Sequence, residues 1–258
     1  DYPTLLPTKN VNHLESQFAG WMLLNYNKPV RVSSTLGGNQ ANYAVDEDMR
    51  TYWSAESGNK NEWFETDLGE ISSVYALQIN YADQDAEYMG KTLGKSHQYK
   101  VLYSVDGKKW NLLIDKSNNN KDVPHDYVEL NSPVKARFLK LINLKMPSGK
   151  FALSGFRVFG KANGNPPKTV ENFVVLRAEP QKSGERRSSW MKWKQNQDAD
   201  GYVIYFGKSA DKLYGSIMVY GKNDYFFTAM DRADAYFFQI EAFNNKGISK
   251  RTEIVKVD

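Results

Sequence analysis

The chain has 258 residues, of which 41% are hydrophobic and 25% charged, ordinary values for a globular protein that exclude disorder of the whole chain. Its 34 basic and 30 acidic residues leave a net charge of +4, too small and too evenly spread for a nucleic-acid footprint. No cysteine is present, which excludes disulfides, thiolate nucleophiles and Cys-ligated zinc.

No apolar run approaches the ~18–20 residues that cross a bilayer, and no signal peptide is recognisable. Aromatic residues reach 14% of the chain, a content that favours β-strands or a surface that contacts a ligand. Because the chain begins at Asp1 rather than with methionine, we expect it to be a portion of a longer precursor.

Eight short runs in the first 160 residues have the composition and alternation of β-strands. In the clearest of them, Tyr99, Val101 and Tyr103 alternate with other residues, which indicates a strand with one buried face. The Asp106-Gly107 pair that follows favours a tight hairpin turn. The eight runs are 29–34, 62–68, 73–82, 98–104, 109–115, 126–130, 135–143 and 152–160.

The connections between these runs alternate in length. Short turns follow the second, fourth and sixth runs, and long polar connections follow the first, third, fifth and seventh. Since successive strands of a sandwich usually run antiparallel, the long connections should meet at one end, with the attachment points at the other. This arrangement predicts a recognition module. The long connections are 35–61, 83–97, 116–125 and 144–151.

A break in the pattern occurs at residues 161–167, where Gly164 and the Pro166-Pro167 pair indicate a short stiff linker. After it, roughly seven strand-like runs in about 90 residues fit a small immunoglobulin-like sandwich. The sequence therefore predicts four parts, which are an N-terminal connecting segment (1–27), a first β-domain (28–160), the linker (161–167) and a second β-domain (168–258).

Five motifs follow one another across the first domain: Asn42-Tyr43-Ala44-Val45-Asp46, Thr51-Tyr52-Trp53, Glu62-Trp63-Phe64, Tyr103-Ser104-Val105-Asp106-Gly107 and Phe156-Arg157-Val158-Phe159-Gly160. In this order they resemble the discoidin, or coagulation-factor type C, fold shared by many carbohydrate-binding modules of family 32. Trp193, Tyr202 and the alternating run 236–242 of the second domain resemble fibronectin type III, with Tyr236 at the tyrosine corner. The resemblance implies an all-β protein, with an eight-stranded jelly-roll sandwich followed by a seven-stranded fibronectin type III sandwich.

The stretches 18–24, 81–86 and 122–130 are similar to the C-terminal region of certain bacterial glycoside hydrolases of family 43. Such enzymes act as xylosidases and arabinofuranosidases on plant polysaccharides. The resemblance implies an upstream catalytic domain, xylan- or arabinan-like glycans as partners, and secretion to the periplasm or cell surface of a bacterium. Residues 1–27 would then be a connecting segment held against the first sandwich by Trp21 and its neighbours.

Candidate sugar-binding groups lie in the long connections. Sugar recognition needs a ring that stacks on C–H faces and fixed polar groups that reach hydroxyls. By contrast, we assign Trp53, Trp63 and Trp110 to the core. Two alternatives stay open. His125 orders its own loop by hydrogen bonds to the backbone, or Asp83 and Asp85 bridge the loop to the upstream catalytic domain. The candidates are Asp83, Asp85, Tyr88, His97 and His125.

A structural Ca²⁺ is implied by the discoidin resemblance, because such modules often hold the ion in the first long connection. Asp46 and Thr51 match the side-chain positions of that site. The sequence departs from the family at Gly155, where an acid is common, and the loss of a carboxylate lowers the charge of the site. In the alternative interpretation, Asp46 only caps a turn.

Enzyme motifs are absent from the sequence: it has no Gly-x-Ser-x-Gly elbow, no His-Glu-x-x-His and no phosphate-binding glycine loop. We therefore predict a non-catalytic carbohydrate-binding accessory region. The first alternative is a bracing or protein-interaction module with no sugar site. The second is adhesion to protein or phospholipid, although the polar loops do not favour insertion into a membrane.

Overall fold

The computed structural model describes residues 20–87, 96–178, 187–228 and 230–258. Over these ranges the chain is built mainly from β-strands, with a short 3₁₀ turn at Ala41–Ala44. None of the helical structure in the described residues is long and apolar enough to cross a membrane. The expected all-β fold is thus confirmed.

In the described parts of the chain, eight strands belong to the first sandwich and eight to the second. The first eight are β1 (Met22–Leu23), β2 (Val30–Val32), β3 (Trp53–Ser54), β4 (Trp63–Tyr81), β5 (Gln98–Ser104), β6 (Asn111–Asp115), β7 (His125–Lys145) and β8 (Ala152–Lys161). The others are β9 (Val174–Arg177), β10 (Ser189–Lys192), β11 (Gly201–Gly207), β12 (Gly215–Tyr220), β13 (Asp224–Phe227), β14 (Tyr236–Asn244), β15 (Gly247–Ile248) and β16 (Val255–Val257).

Two strands of the first sandwich, β4 and β7, are long and bent. The sequence predicted a pair of shorter strands in place of each. The first half of β4 pairs with β2 and its second half with β8, and its register with β7 shifts between Asp67 and Ser72. Gly69, with φ of +83°, adopts there a conformation that costs glycine little. The chain therefore passes between the layers across an irregular stretch at residues 68–71, and β4 pairs with β7 on both sides of it. The joined runs are 62–68 with 73–82, and 126–130 with 135–143.

Four aromatic rings fill the space between the two layers. The Phe64 ring lies 5.6 Å from the Phe156 ring of the opposite layer, and Trp53 lies 5.2 Å from Phe64 and 5.3 Å from Phe151. All four side chains are fully buried. Since burial of each such ring contributes roughly 2–3 kcal/mol, this cluster holds the layers together. The assignment of Trp53 to the core is confirmed.

Trp63 and Trp110 lie elsewhere, on the outer face of the first sandwich, and their assignment to the core was wrong. Both rings are half-buried. They flank the ammonium group of Lys140, at 4.5 Å from the Trp63 ring and 4.4 Å from the Trp110 ring. A cation between two indole faces is a favourable electrostatic arrangement, so these rings pack against a charge instead of against the apolar interior.

The described part of the N-terminal segment is strapped to the first sandwich, as the sequence analysis expected. β1 pairs with β8, and the Trp21 ring stacks on Tyr75 at 5.0 Å. The buried Asn25 side chain donates to the carbonyl of Phe156 (2.6 Å) and accepts from the N–H of Val158 (3.0 Å). The strap therefore satisfies backbone groups at an edge of the sheet.

Replacing Asn25 with leucine should lower the free energy of unfolding by about 2 kcal/mol, because two buried backbone groups would lose their partners. Urea unfolding measures this change. The control is Asn42→Ala, at an exposed side chain, which should stay within about 0.5 kcal/mol of the unchanged protein. Equal losses in the two variants would contradict the stabilising role of the strap.

The second sandwich consists of two sheets, one with the order β13-β10-β9 and one with the order β12-β11-β14-β15, where β16 also pairs with β14. Trp193, Tyr202 and Phe238 lie in the core between them. The Tyr236 hydroxyl accepts a hydrogen bond from the backbone N–H of Asp231 at 2.9 Å, which is the geometry of a tyrosine corner. An immunoglobulin-like sandwich is therefore present, while membership of the fibronectin type III family stays a prediction.

Candidate functional site

The described residues of the four long connections of the first sandwich meet at one end, which we call the loop pole (residues 33–62, 82–87, 96–97, 116–124 and 146–151). Hydrogen bonds join them in the described residues. The N–H of Lys150 donates to the carbonyl of Gln84 (2.9 Å), and that of Phe151 donates to Ser57 (3.0 Å). The Asn119 side chain donates to the carbonyl of His97 at 3.0 Å. The predicted convergence of the long connections is confirmed.

The opposite end, the base, carries the attachment to the second sandwich. β8 starts at the pole, where Leu153 pairs with Tyr81, and ends at the base, where Lys161 pairs with Ser73. The turn at Gly69 and the hairpin between β5 and β6 lie at the base as well. The loop pole therefore points away from the linker, as a recognition surface should.

Two glycines allow the loops of the pole to pack closely. A Cβ atom at Gly58 would overlap the carbonyl oxygen of Gly149, and one at Gly149 would overlap the carbonyl oxygen of Gln84. Gly149 also has φ of +69°, in the left-handed region that favours glycine. The contacts are between backbone atoms, so the shape of the pole is set by the main chain.

Asp83 and Asp85 both have exposed side chains on the loop pole. The Asp85 carboxylate accepts from Lys150 Nζ (2.6 Å) and from Gln84 Nε2 (2.7 Å), and the hydrogen bond from Lys150 is the main reason that the pKa of Asp85 is lowered. The Tyr52 hydroxyl donates to Gln84 Oε1 at 2.7 Å. Asp85 is therefore an anion held in place by a chain of polar side chains.

His97 lies beneath the surface of the pole rather than on it. The residue is 7% exposed, and its ring stacks on Tyr81 with centroids 3.7 Å apart. Burial lowers the pKa of His97 to about 4, although Asp122 and Asp83 act in the opposite direction. Nδ1 has no hydrogen-bond partner in the described structure. This position favours a role in supporting the pole over direct contact with a ligand.

His125 is exposed at the start of β7. Its Nδ1 lies 3.2 Å from Asn80 Oδ1, so a side chain on the neighbouring strand orients the ring, rather than a backbone group as one alternative supposed. The ring remains accessible to a ligand. Tyr88, the candidate stacking ring, lies outside the described residues.

Three polar side chains of the pole were missed by the sequence analysis: Tyr52, Gln84 and Lys150. Each lies in a long connection, but neither spacing nor composition distinguishes them from other polar loop residues. They become candidates only because the folded loops bring them to Asp85. Together they add a hydroxyl, an amide and an ammonium group to the polar surface.

The residues proposed for calcium are hydrogen-bonded to each other. Asp46 Oδ1 accepts from the N–H of Asp48 (2.9 Å), and Oδ2 accepts from the Thr51 hydroxyl (2.8 Å). Ca²⁺ takes roughly six to eight oxygen ligands, yet the described residues contain no group of three or more Asp, Glu or His side chains that could share a metal ion. Because backbone carbonyl oxygens can also bind Ca²⁺, the calcium site stays a prediction. The hydrogen bonds of Asp46 to Asp48 and Thr51 also fit the alternative, a turn capped by Asp46.

Comparisons with known proteins bear on the first sandwich. Residues 29–155 match the F5/8 type C domain family. Over 104 residues the chain is 30% identical to the polysaccharide lyase 8 family protein HylA of Enterococcus faecalis, a match that covers 40% of this chain and 7% of that protein. The chain thus spans a small part of the length of this relative.

Among solved structures, the chain is similar to the family 32 carbohydrate-binding module of Clostridium perfringens NanJ in complex with galactose, with 15% identity, 54% of this chain and 98% of that chain covered, and a TM-score of 0.44. It is also similar to chitosan-binding module 2 of a Paenibacillus sp. IK-5 chitosanase/glucanase in complex with chitotriose, with 20% identity, 53% and 99% coverage, and a TM-score of 0.45.

The family match begins just before β2 and ends within β8, so it covers both layers of the sandwich and all the connections of the loop pole. Four of the five motifs that suggested the resemblance lie in this range, and the fifth, residues 156–160, follows directly after it in β8. Residues 29–155 are therefore an F5/8 type C, or discoidin-type, domain.

Proposed function

We propose that the F5/8 type C domain is a non-catalytic carbohydrate-binding module whose ligand contacts the loop pole. The observation that carries this proposal is the position of Asp83, Asp85 and His125, which are exposed at the end opposite the linker. Carboxylate groups in such positions can accept hydrogen bonds from the vicinal hydroxyls of a sugar, and an imidazole group can donate or accept them.

The affinity of such an open site should be weak, micromolar to millimolar, or roughly −8 to −4 kcal/mol. Weak binding is still useful in a tethered module, because attachment raises the local concentration of glycan around a neighbouring active site. Similarity to a polysaccharide lyase family protein supports a setting in glycan degradation.

The finer parts of the proposal rest on the resemblance to glycoside hydrolase family 43. We propose that the parent protein carries its catalytic domain upstream and is secreted to the periplasm or cell surface of a bacterium. The glycan would be xylan- or arabinan-like. The second sandwich, proposed as a fibronectin type III domain, would serve as a spacer.

The test measures binding of xylo- and arabino-oligosaccharides by calorimetry in the unchanged chain, Asp85→Ala and His125→Ala. We expect each variant to bind about tenfold more weakly, a loss of about 1.4 kcal/mol. Both side chains are exposed, so the melting temperature should fall by no more than about 2 °C. Asn131→Ala, at an exposed position of the base, is the matched control and should bind normally.

Two outcomes would contradict the proposal. If both pole variants bind as the unchanged chain does, the ligand contacts another surface. If none of a broad set of oligosaccharides binds at all, the domain has a bracing or protein-interaction role.

A further inference from the structure

A cavity of about 450 Å³ lies on the outer face of the first sandwich, at the base and away from the loop pole. It lies between the β5–β6 hairpin on one side and β2 and β4 on the other. Its volume is within the range of small-molecule sites, roughly 300–1,000 Å³. The side chains that matter are Arg31, Glu65, Asp67, Asp106, Lys108 and Phe138.

Glu65 supplies a buried carboxylate to this cavity. Its side chain is 2% exposed, and it pairs with Arg31 and, through Oε2, with Lys140 Nζ at 2.8 Å. Lys140 is in turn held between the Trp63 and Trp110 rings. A buried carboxylate with two cationic partners is fixed in position, so the inner wall of the cavity is rigid.

Two further carboxylates line the cavity, and both are firmly ionised. Asp67 is bound by Arg137 in a bidentate pair, with Nε–Oδ1 at 2.8 Å and Nη2–Oδ2 at 2.9 Å, and the hydrogen bond from Arg137 lowers its pKa. Asp106 accepts from the backbone N–H groups of Lys109 and Lys108, which lower its pKa to about 2.

The cations in and around the cavity outnumber these carboxylates. Arg31, Lys108, Arg137 and Lys140 face the three acids. Lys108 has no ion pair in the described structure, and Arg31 is 65% exposed and binds Glu65 through Nε and Nη2 only. One positive charge and several N–H donors therefore remain at the mouth, which is complementary to an anionic group.

We propose that this cavity binds the carboxylate of an acidic sugar residue, a uronic acid. Arg31 and Lys108 donate hydrogen bonds to the carboxylate, and Asp106 accepts one from a ring hydroxyl. Phe138 and Pro29 line the same cavity and provide apolar surface for the C–H groups of the sugar. This site is separate from the loop pole, and its existence does not depend on a ligand there.

The test is a titration of the ¹⁵N-labelled chain with sodium glucuronate, followed through backbone amide shifts. Glucose, which has a similar ring without the carboxylate, and acetate, which has the carboxylate without the ring, are the matched probes. We expect glucuronate to shift the amides of Arg31, Gly107 and Lys108 with a dissociation constant near 1 mM. Glucose and acetate should bind there at least about fivefold more weakly.

Substitutions locate the site. Lys108→Ala should weaken glucuronate binding about fivefold, the effect of losing one partly exposed charge-assisted hydrogen bond. Lys109→Ala, at the adjacent exposed lysine that does not line the cavity, should bind as the unchanged chain does. Arg31→Ala is the second variant. Its melting temperature is the check on the fold, which we expect to be retained because Glu65 stays paired with Lys140.

The inference is overturned if acetate is as effective as glucuronate, if Lys108→Ala and Lys109→Ala lose affinity equally, or if the amides around the cavity do not shift. The amides of Asp85 and His125 report on the loop pole in the same spectra. A failure of the proposed sugar site at the pole is therefore observed separately from a failure of this one.

Discussion

Gly149→Ala should lower the free energy of unfolding by about 4 kcal/mol. The φ of +69° at this residue costs an L-residue about 1–2 kcal/mol. The new Cβ would also overlap the carbonyl oxygen of Gln84 and lie 2.9 Å from the backbone nitrogen of Ala86. Since both obstacles are main-chain atoms, no rotamer change relieves them, and the two loops must separate. Urea unfolding measures the loss.

Gly38→Ala separates the two causes. Gly38 lies in the first long connection and also has a positive φ, of +90°, but a Cβ atom added there would meet no other atom within 4 Å. It should therefore lose only the conformational cost, about 1–2 kcal/mol. If the two alanine variants lose the same stability, the close approach of loops at Gly149 does not hold the pole together.

The position of the loop pole could be predicted because it follows from chain direction. Connection lengths are visible in the sequence, and antiparallel neighbours place alternate connections at the same end. The prediction survived the finding that 62–68 and 73–82 form the single strand β4. At Gly69 the chain bends, so that the second half of β4 runs back towards the pole in the other layer. A short turn between two separate strands would have the same effect.

Burial of individual rings could not be predicted in the same way. Trp63 and Phe64 are adjacent in β4, so they point to opposite faces, and both faces carry a large aromatic ring. Alternation alone cannot show which of the two is inside. The structure places Phe64 in the core and Trp63 against Lys140, because a lysine on the neighbouring strand offers the outer ring a favourable partner.

His97 was assigned to sugar contact because it lies in a long polar connection, and nothing in its neighbourhood signals burial. Its stacking partner, Tyr81, is at the other end of that connection. The two rings meet only in the folded protein, where both ends of the connection lie side by side. Asp83, Asp85 and His97 thus lie in the pole as expected, while the depth of His97 within it depended on tertiary packing.

Lowering the pH from 7 to 4 should destabilise the chain by about 3 kcal/mol through His97 alone. Burial lowers the pKa of His97 to about 4 in the folded protein, whereas the unfolded chain takes up this proton near pH 6.5. Above pH 6.5 the residue is neutral in both states and has no effect. As the pH falls from 6.5 towards 4, only the unfolded state gains the proton, so the free energy of unfolding decreases.

His97→Phe is the informative variant, because a phenyl ring can stack on Tyr81 in the same way but cannot take up a proton. We expect urea unfolding of this variant to show about 3 kcal/mol less destabilisation between pH 7 and 4 than the unchanged chain. His125→Ala is the control: the ring is exposed, so the pH dependence of stability should be retained. A His97→Phe chain that loses stability as steeply as the unchanged protein would show that the buried imidazole is not the cause. The carboxylates that are common to both chains would then be responsible for the whole acid response.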